Sequence, residues 1–563
     1  MRHGLTYDSR NIYQIHICIR FGYNTKTRST KDMNKLPKIP LIFGVTGHRD
    51  LRPEDREKHI KAIKNIFTKY NNEYPNTPLI LISALADGAD MLVASVACEM
   101  DIELHVLIPY NQGDYLNSID DKELFHELSQ KAGDEVKVLE CEQNEDGKFT
   151  HCYQQLGEQI ADSSNILIAL WDGVEEPSNN GGTAAIVRYQ RDGFDENMFD
   201  SRDGDVIHII PTARVSKPNQ DLDPLQKNVE YLGRLKRVGF KANLQRLDAL
   251  NEDISTHTCK DQSSDYTLLQ KYKKFFGDRA NTNQTRYKSL MTWLIMLIGI
   301  AIIFLETMHI LSGAGELYAW GNHLILGYFA GLSAAYYIYR YKMRGDKLQN
   351  DFIYSRGFSE AIRVQSAWND SSIGLEKKVS SYYLRAEPNS LAWMRIALKN
   401  IAYMDSSSYQ SAADWIEEQT AYFEKNITKR DEDYEHYETI EKWVFCIGVV
   451  GVGITALLYL AELAHIIPHG DFPSNWHLGV LLSGIALLLA AFFKKYLYIH
   501  GFKEERDNFR EILSSFEQAD KRFKGADKKL KQQIVFDLGK KALIENSQWV
   551  SLHNQRRARF EME

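Results

Sequence analysis

The chain has 563 residues, 44 % of them hydrophobic and 25 % charged, with a net charge of −7. That length accommodates a complete soluble domain with further modules, and the acidic balance argues against a nucleic-acid polymer as partner, since such binders carry a basic face. Six cysteines (Cys18, Cys98, Cys141, Cys152, Cys259 and Cys446) lie far apart without CxxC or Cys/His ligand spacing, which predicts reduced, mostly buried thiols rather than disulfides or zinc.

In chain order, residues 1–35 are expected to form a disordered tail or to reflect a start-site artefact, with Met33 as the natural start. The run from Ile12 to Phe21 is broken by Gln14, His16 and Arg20 and lacks a small-residue cleavage site, so it does not read as a signal peptide. From residue 36 to 218 strands and helices alternate. Leu41–Val45, Leu79–Ser83, Leu104–Ile108, Val136–Leu139, Asn165–Leu170 and Val206–Ile210 are short apolar runs, as strands buried on both faces of a parallel sheet require. Right-handed crossovers then gather all the strand C-termini, and any ligand crevice, on one edge.

Three polar motifs fall at those predicted ends. In "GVTGHR" the glycines Gly44 and Gly47 allow close backbone approach, Thr46 offers a hydroxyl, and His48 and Arg49 follow, with Arg49 able to fork onto a phosphate. In "SALADGADMLVASVA" a strand ends at Ser83, Gly88 permits a sharp turn, and Asp90 opens a helix; simple capping by Asp87 or Asp90 is the structural alternative. In "LIALWDG" and "NNGGTAAIV" Asp172 ends a strand, while Gly181, Gly182 and Thr183 form a backbone N–H nest ahead of a helix.

Residues 219–288 are rich in helix formers and charges and predict a helical coupler. Leu290–Leu311, Trp320–Tyr339, Trp443–Ala464 and Trp476–Phe493 are each about long enough to span a bilayer. Arg286, Lys288, Arg340, Lys342, Arg344, Lys442, Lys494 and Lys495 flank them, whereas the loops 312–319 and 465–475 hold no Lys or Arg. The positive-inside rule then places both termini and residues 340–442 in the cytoplasm of a multi-pass inner-membrane protein.

An offset of 156 residues superposes the two hairpins, setting Glu306 on Glu462, His309 on His465, Trp320 on Trp476 and Trp393 on Trp549. This divides the membrane half into repeated units at 289–430 and 431–563, each a two-helix hairpin trailed by cytoplasmic amphipathic helices such as Phe358–Trp368 and Asn389–Ile401. Asn389 or Ser390 is the expected helix cap. Glu306 and Glu462, near the outward ends of their spans, are candidate pore-lining carboxylates, with snorkelling to water as the alternative. His309 and His465 read as interface residues.

Together the three strand-end motifs resemble a SLOG domain, a Rossmann-like family related to the lonely-guy phosphoribohydrolases and to the cytoplasmic N-terminal regions of TRPM channels. The membrane half resembles two tandem SLATT domains, two-helix membrane effectors of bacterial conflict systems. The resemblance implies an α/β parallel sheet followed by an all-α membrane region. It further implies a bound nucleotide-derived ligand of the NAD, ADP-ribose or cyclic-nucleotide class, and a homo-oligomeric pore opened by it in anti-phage defence. Carried onto this chain, Gly44, Thr46, Gly47 and Arg49 would hold phosphate, Gly88 and Asp90 would border the pocket, and Gly181, Gly182 and Thr183 would form a second cradle. The chain departs from the phosphoribohydrolase pattern, because no carboxylate follows Thr183 until Asp192 and Glu175 and Glu176 precede it. Binding is therefore expected rather than catalysis. The alternative is a membrane-anchored NAD or nucleotide hydrolase using Asp90, Asp172 or Glu175 as acid or base. A transporter is a third reading, weakened by the lack of broken helices.

Overall fold

The computed structural model describes residues 36–139, 141, 149–175, 181–193, 206–217, 230–231, 237–256, 266–311, 318–343, 347–370, 372–375, 377–384, 391–467 and 475–555. The 1–35 tail, Glu176, the Asn389/Ser390 cap and most of both inter-span loops lie outside them. Two compact units emerge, one built from residues up to Tyr272 plus Gln365–Tyr409, the other from Lys273–Val364 plus Gln410 onward.

The first unit is a seven-stranded sheet. Its strands are β1 (Leu41–Gly47), β2 (Leu79–Ser83), β3 (Glu103–Ile108), β4 (Val136–Val138), β5 (Ile166–Trp171), β6 (Val206–Pro211) and β7 (Glu230–Tyr231). The spatial order is β4-β3-β2-β1-β5-β6-β7, and all neighbours are parallel except β7, which runs antiparallel to β6. β1 and β5, side by side with Gly47 opposite Leu170, form the point where strand order reverses. Doubly wound sheets place ligands there, outside the strand C-termini. Helices α1 (Arg56–Glu73), α2 (Ala89–Glu99), α3 (Gln112–Leu116), α4 (Lys122–Ala132), α5 (Thr150–Ser163) and α6 (Thr183–Asp192) complete the layers. Both faces of the central strands are therefore buried, which explains their unbroken apolar runs.

The opposite edge is closed by segments distant in sequence. α7 (Arg237–Thr256), which falls in the expected coupler, is part of this unit: Asn251 Oδ1 accepts from Ile39 N at 2.7 Å and its Nδ2 donates to Ile39 O at 2.9 Å. α8 (Leu268–Leu311) starts here too, with Tyr272 Oη donating to Pro37 O at 2.7 Å. Residues 365–409, expected to trail the first hairpin, also pack here through α11 (Ala392–Met404). Asn400 Nδ2 donates to Pro40 O and Asn165 Oδ1 at 2.7 and 2.9 Å, and Tyr403 joins the core, its Oη 2.7 Å from His105 Nδ1. An amphipathic pattern states that a helix has an apolar face but not what will cover it, which is why the sequence assigned α11 to the hairpin.

The cysteine expectation is corrected. Cys141, just past β4, and Cys152, in the first turn of α5, are joined as a disulfide with Cα atoms 5.8 Å apart. Bridging depends on where the fold sets two Cα atoms, which linear spacing does not reveal.

The second unit is helical. It holds α8 from Lys273, α9 (Tyr318–Tyr337), α10 (Lys347–Trp368) up to Val364, α12 (Ala412–Leu463), α13 (Asn475–His500), α14 (Phe502–Phe523) and α15 (Lys528–Gln555). Among the described residues, three helices are long and apolar enough to cross a membrane: Leu268–Met308, Ala412–Leu463 and Gly479–Phe523. The remaining apolar run, Trp320–Tyr339, falls on α9. Trp443, Ile447, Val450, Leu457 and Leu463 on α12 are each at least 60 % exposed, an outward apolar surface that lipid, not water, would cover. Small residues bring α8 close to α9 and α12 close to α13: a Cβ on Gly331 would come within 3.0 Å of Ala301 Cβ, and one on Gly448 within 2.7 Å of Leu487. Glu306 is exposed on α8, and Glu462 is partly buried on α12.

Candidate ligand-binding site

At the β1/β5 switch point lies a cavity of about 430 Å³, within the size range of small-molecule sites. Its floor is the end of β1. Gly47 is required there because a Cβ would meet Ala89 Cβ at 2.3 Å and Leu170 O at 2.9 Å. The β1 turn interlocks with the start of α2, where Ala89 N donates to His48 O at 3.1 Å. Gly88 makes that approach possible with a φ of +80°.

Of the residues singled out from sequence, Thr46, Gly47, His48, Arg49 and Asp90 line the cavity on one side, and Gly181, Gly182 and Thr183 on the other. The remaining four shape it from behind. Gly44 receives α5, since a Cβ there would lie 2.9 Å from both Ile160 Cγ2 and Ser164 Oγ. Ser83 Oγ accepts from Leu85 N at 3.1 Å and pins the β2 turn. Gly88 forms the interlock. Asp172 is buried behind the cavity, its Oδ1 3.0 Å from His48 Nε2 and its Oδ2 3.7 Å from Lys217 Nζ.

The cavity is rich in hydrogen-bond donors. α6 starts at Gly182 without a side-chain cap, and the amides of Thr183 and Ala184 have no partner among the described residues. Such helix N-termini favour anions through both free N–H groups and the aligned peptide dipoles. Arg49 spends one nitrogen on Ser118 O at 2.9 Å, leaving the rest of its fork to the cavity. Trp171 Nε1 is buried without a partner among the described residues. Arg214, held by Asp50 at 2.9 Å, adds a second cation.

Burial pushes His48 below its ordinary value, with Asp172 pulling the other way, so the imidazole is neutral near pH 7. Burial also pushes the Asp90 carboxyl up to about 7, against the opposing pull of Arg49 and of hydrogen bonds from the Ala86 and Ala84 amides. A neutral Asp90 leaves Arg49 unopposed. Binding of a diphosphate diester, whose charge is constant in this range, is therefore expected to tighten as pH falls through 7. The contribution of Asp90 to stability follows the same sign: the folded state holds this proton more tightly than the unfolded chain, so that contribution is full below about pH 4 and is lost as pH rises to 7. Titrations by calorimetry at pH 6 and pH 8 should show this slope in the native protein and a flat profile in Asp90→Asn.

Glu175 is exposed, paired with Arg191 at 3.2 Å, and does not line the cavity. Among the described residues, Asp50 and Asp90 are the carboxylates that do. Tyr115, Tyr153, Trp171 and Arg214 also line it and were missed from sequence. Trp171 sits inside a motif already quoted, and Arg214 follows a predicted strand end, the one signal that could have drawn attention to it. The two tyrosines carry no local signature. Comparison with family models, with curated proteins and with solved structures finds no match to this chain.

Proposed function

We propose that this chain is a nucleotide-sensing membrane effector, in which a phosphate-bearing ligand of the NAD, ADP-ribose or cyclic-nucleotide class binds the β1/β5 cavity and gates an oligomeric pore, in the SLOG–SLATT manner. The observation that carries this reading is the donor-lined cavity at the switch point, in a chain that also holds three membrane-length helices. The α6 amides, Arg49 and the Trp171 indole supply what a diphosphate needs. The helix bounds support a tandem repeat: shifted by 156 residues, the start of α9, both ends of α10 and the end of α8 fall within a few residues of the start of α13, both ends of α14 and the end of α12. On this reading four spans form two hairpins, both termini are cytoplasmic in the inner membrane, and several copies surround the conduit with Glu306 and Glu462 near its outer mouth. A ligand opens it only by binding the open state more tightly than the closed one.

The test is dye and ion release from liposomes carrying the purified protein, across a panel of NAD, ADP-ribose, its cyclic isomers and cyclic oligonucleotides. Release is expected with one of them. Arg49→Ala should weaken the response by about 10- to 100-fold, the worth of one charge-assisted hydrogen bond of roughly 1.5–3 kcal/mol. A second reading, the anchored hydrolase, is favoured by one feature, the raised carboxyl of Asp90 inside the cavity. Steady ligand consumption without release, abolished in Asp90→Asn, would establish that reading and sink the pore.

A further inference from the structure

We infer that in its reduced state the chain binds a zinc-type cation through Cys141, His151 and Cys152, at a site separate from the nucleotide cavity. The three side chains converge from two segments. Cys141 lies two residues past Leu139, whose amide donates to Ile108 O at 2.8 Å and fixes the chain leaving β4. His151 and Cys152 are consecutive in the first turn of α5, where Cys152 N donates to Phe149 O at 3.0 Å and the Cys152 side chain is fully buried. His151 turns Nε2 toward both sulfurs, 3.2 Å from Cys141 Sγ and 3.7 Å from Cys152 Sγ. All three donor atoms lie within 4.8 Å of one another.

The donor set selects the metal. Two thiolates and an imidazole suit a tetrahedral, borderline-soft cation, whereas magnesium and calcium require oxygens. With zinc–sulfur bonds of about 2.3 Å and zinc–nitrogen bonds of about 2.0 Å, a tetrahedron has N···S edges of about 3.5 Å and an S···S edge of about 3.8 Å. The two N···S separations already bracket that value. Only the sulfurs have to part. A dithiol reductant supplies the two electrons and two protons that convert the disulfide into two thiols, and is itself left as a disulfide. The cation then displaces the two thiol protons, accepts the Nε2 lone pair of the neutral imidazole and keeps its fourth position for water. The site has reach: the next residue, Tyr153, lines the nucleotide cavity, and its Oη lies 2.9 Å from Tyr110 Oη. Phe149 stacks on the Tyr110 ring at 3.8 Å.

The test uses the full chain in detergent micelles, reduced with a dithiol, freed of it anaerobically, and titrated with zinc against a chromophoric chelator and with cobalt. One equivalent should bind per chain only after reduction, and cobalt should give the thiolate-to-metal charge-transfer absorption. Cys141→Ser should weaken binding by about 100-fold or more, and His151→Gln, which leaves both thiols and their bridge intact, by about 10-fold or more. The inference is overturned if the reduced chain takes up no more metal than the oxidised one. It is equally overturned if both variants bind as tightly as the native chain, which would place the metal on Cys98, Cys446 or surface carboxylates.

Discussion

Gly88→Ala is expected to destabilise the first unit by about 3 kcal/mol or more and to erase ligand binding. Two costs add. A residue with a side chain held at φ +80° and ψ −111° carries backbone strain of about 1–3 kcal/mol. The new Cβ would also sit 2.3 Å from Arg49 O and 2.7 Å from His48 O, backbone atoms that can move only by displacing the β1 turn. That turn carries Arg49, so relief of the clash opens the cavity floor. Gly133→Ala is the control, because Gly133 also has a positive φ, +58°, but nothing within 4 Å of its added Cβ. It should lose about 1 kcal/mol and bind normally. Thermal unfolding and a ligand titration on both variants decide the matter; equal behaviour would show that the interlock between β1 and α2 does not position the site.

Glu505→Ala should cost the second unit about 3–5 kcal/mol, the range for breaking a buried ion pair from one side. The Glu505 carboxylate, on α14, is 4 % exposed and pairs with Arg430 on α12 at 2.8 Å. It also accepts from Trp549 Nε1 on α15 at 3.0 Å and lies 3.5 Å from His553 Nε2. Truncation leaves the indole N–H without its acceptor and the guanidinium with Asp433, 3.5 Å away, as its remaining carboxylate. Glu505→Gln retains an oxygen for Trp549 and should lose less. Denaturant unfolding of the full chain in micelles, followed by Trp fluorescence, reads both; an unchanged midpoint in Glu505→Ala would mean that the three helices are held by their aromatic packing alone. That packing is substantial, with Phe423 against Phe509 and Phe516, and Trp415 against Phe516.

The sequence by itself determined the elements whose pattern has a single physical solution. Apolar runs of five to seven residues such as Leu79–Ser83 became strands because only a strand covered on both faces buries every side chain. Membrane-length helices were legible because the bilayer fixes the length of whatever crosses it. The glycines of "GVTGHR" and "NNGGTAAIV" pointed to the cavity because close backbone approach excludes a Cβ, and Gly47 and Gly181 sit where one would collide. Pairing across the chain was decided only by the tertiary structure. Which face covers α11, and that Asn400 reaches Pro40 over 360 positions, follow from the sheet edge already built and not from the helix's own periodicity. Trp171, Tyr115, Tyr153 and Arg214 reach the cavity from four different segments, and Cys141 meets Cys152 because β4 and α5 set their Cα atoms 5.8 Å apart. Local sequence specifies what a segment can bury and how sharply it can turn; its partners are chosen by the whole chain folding around one core.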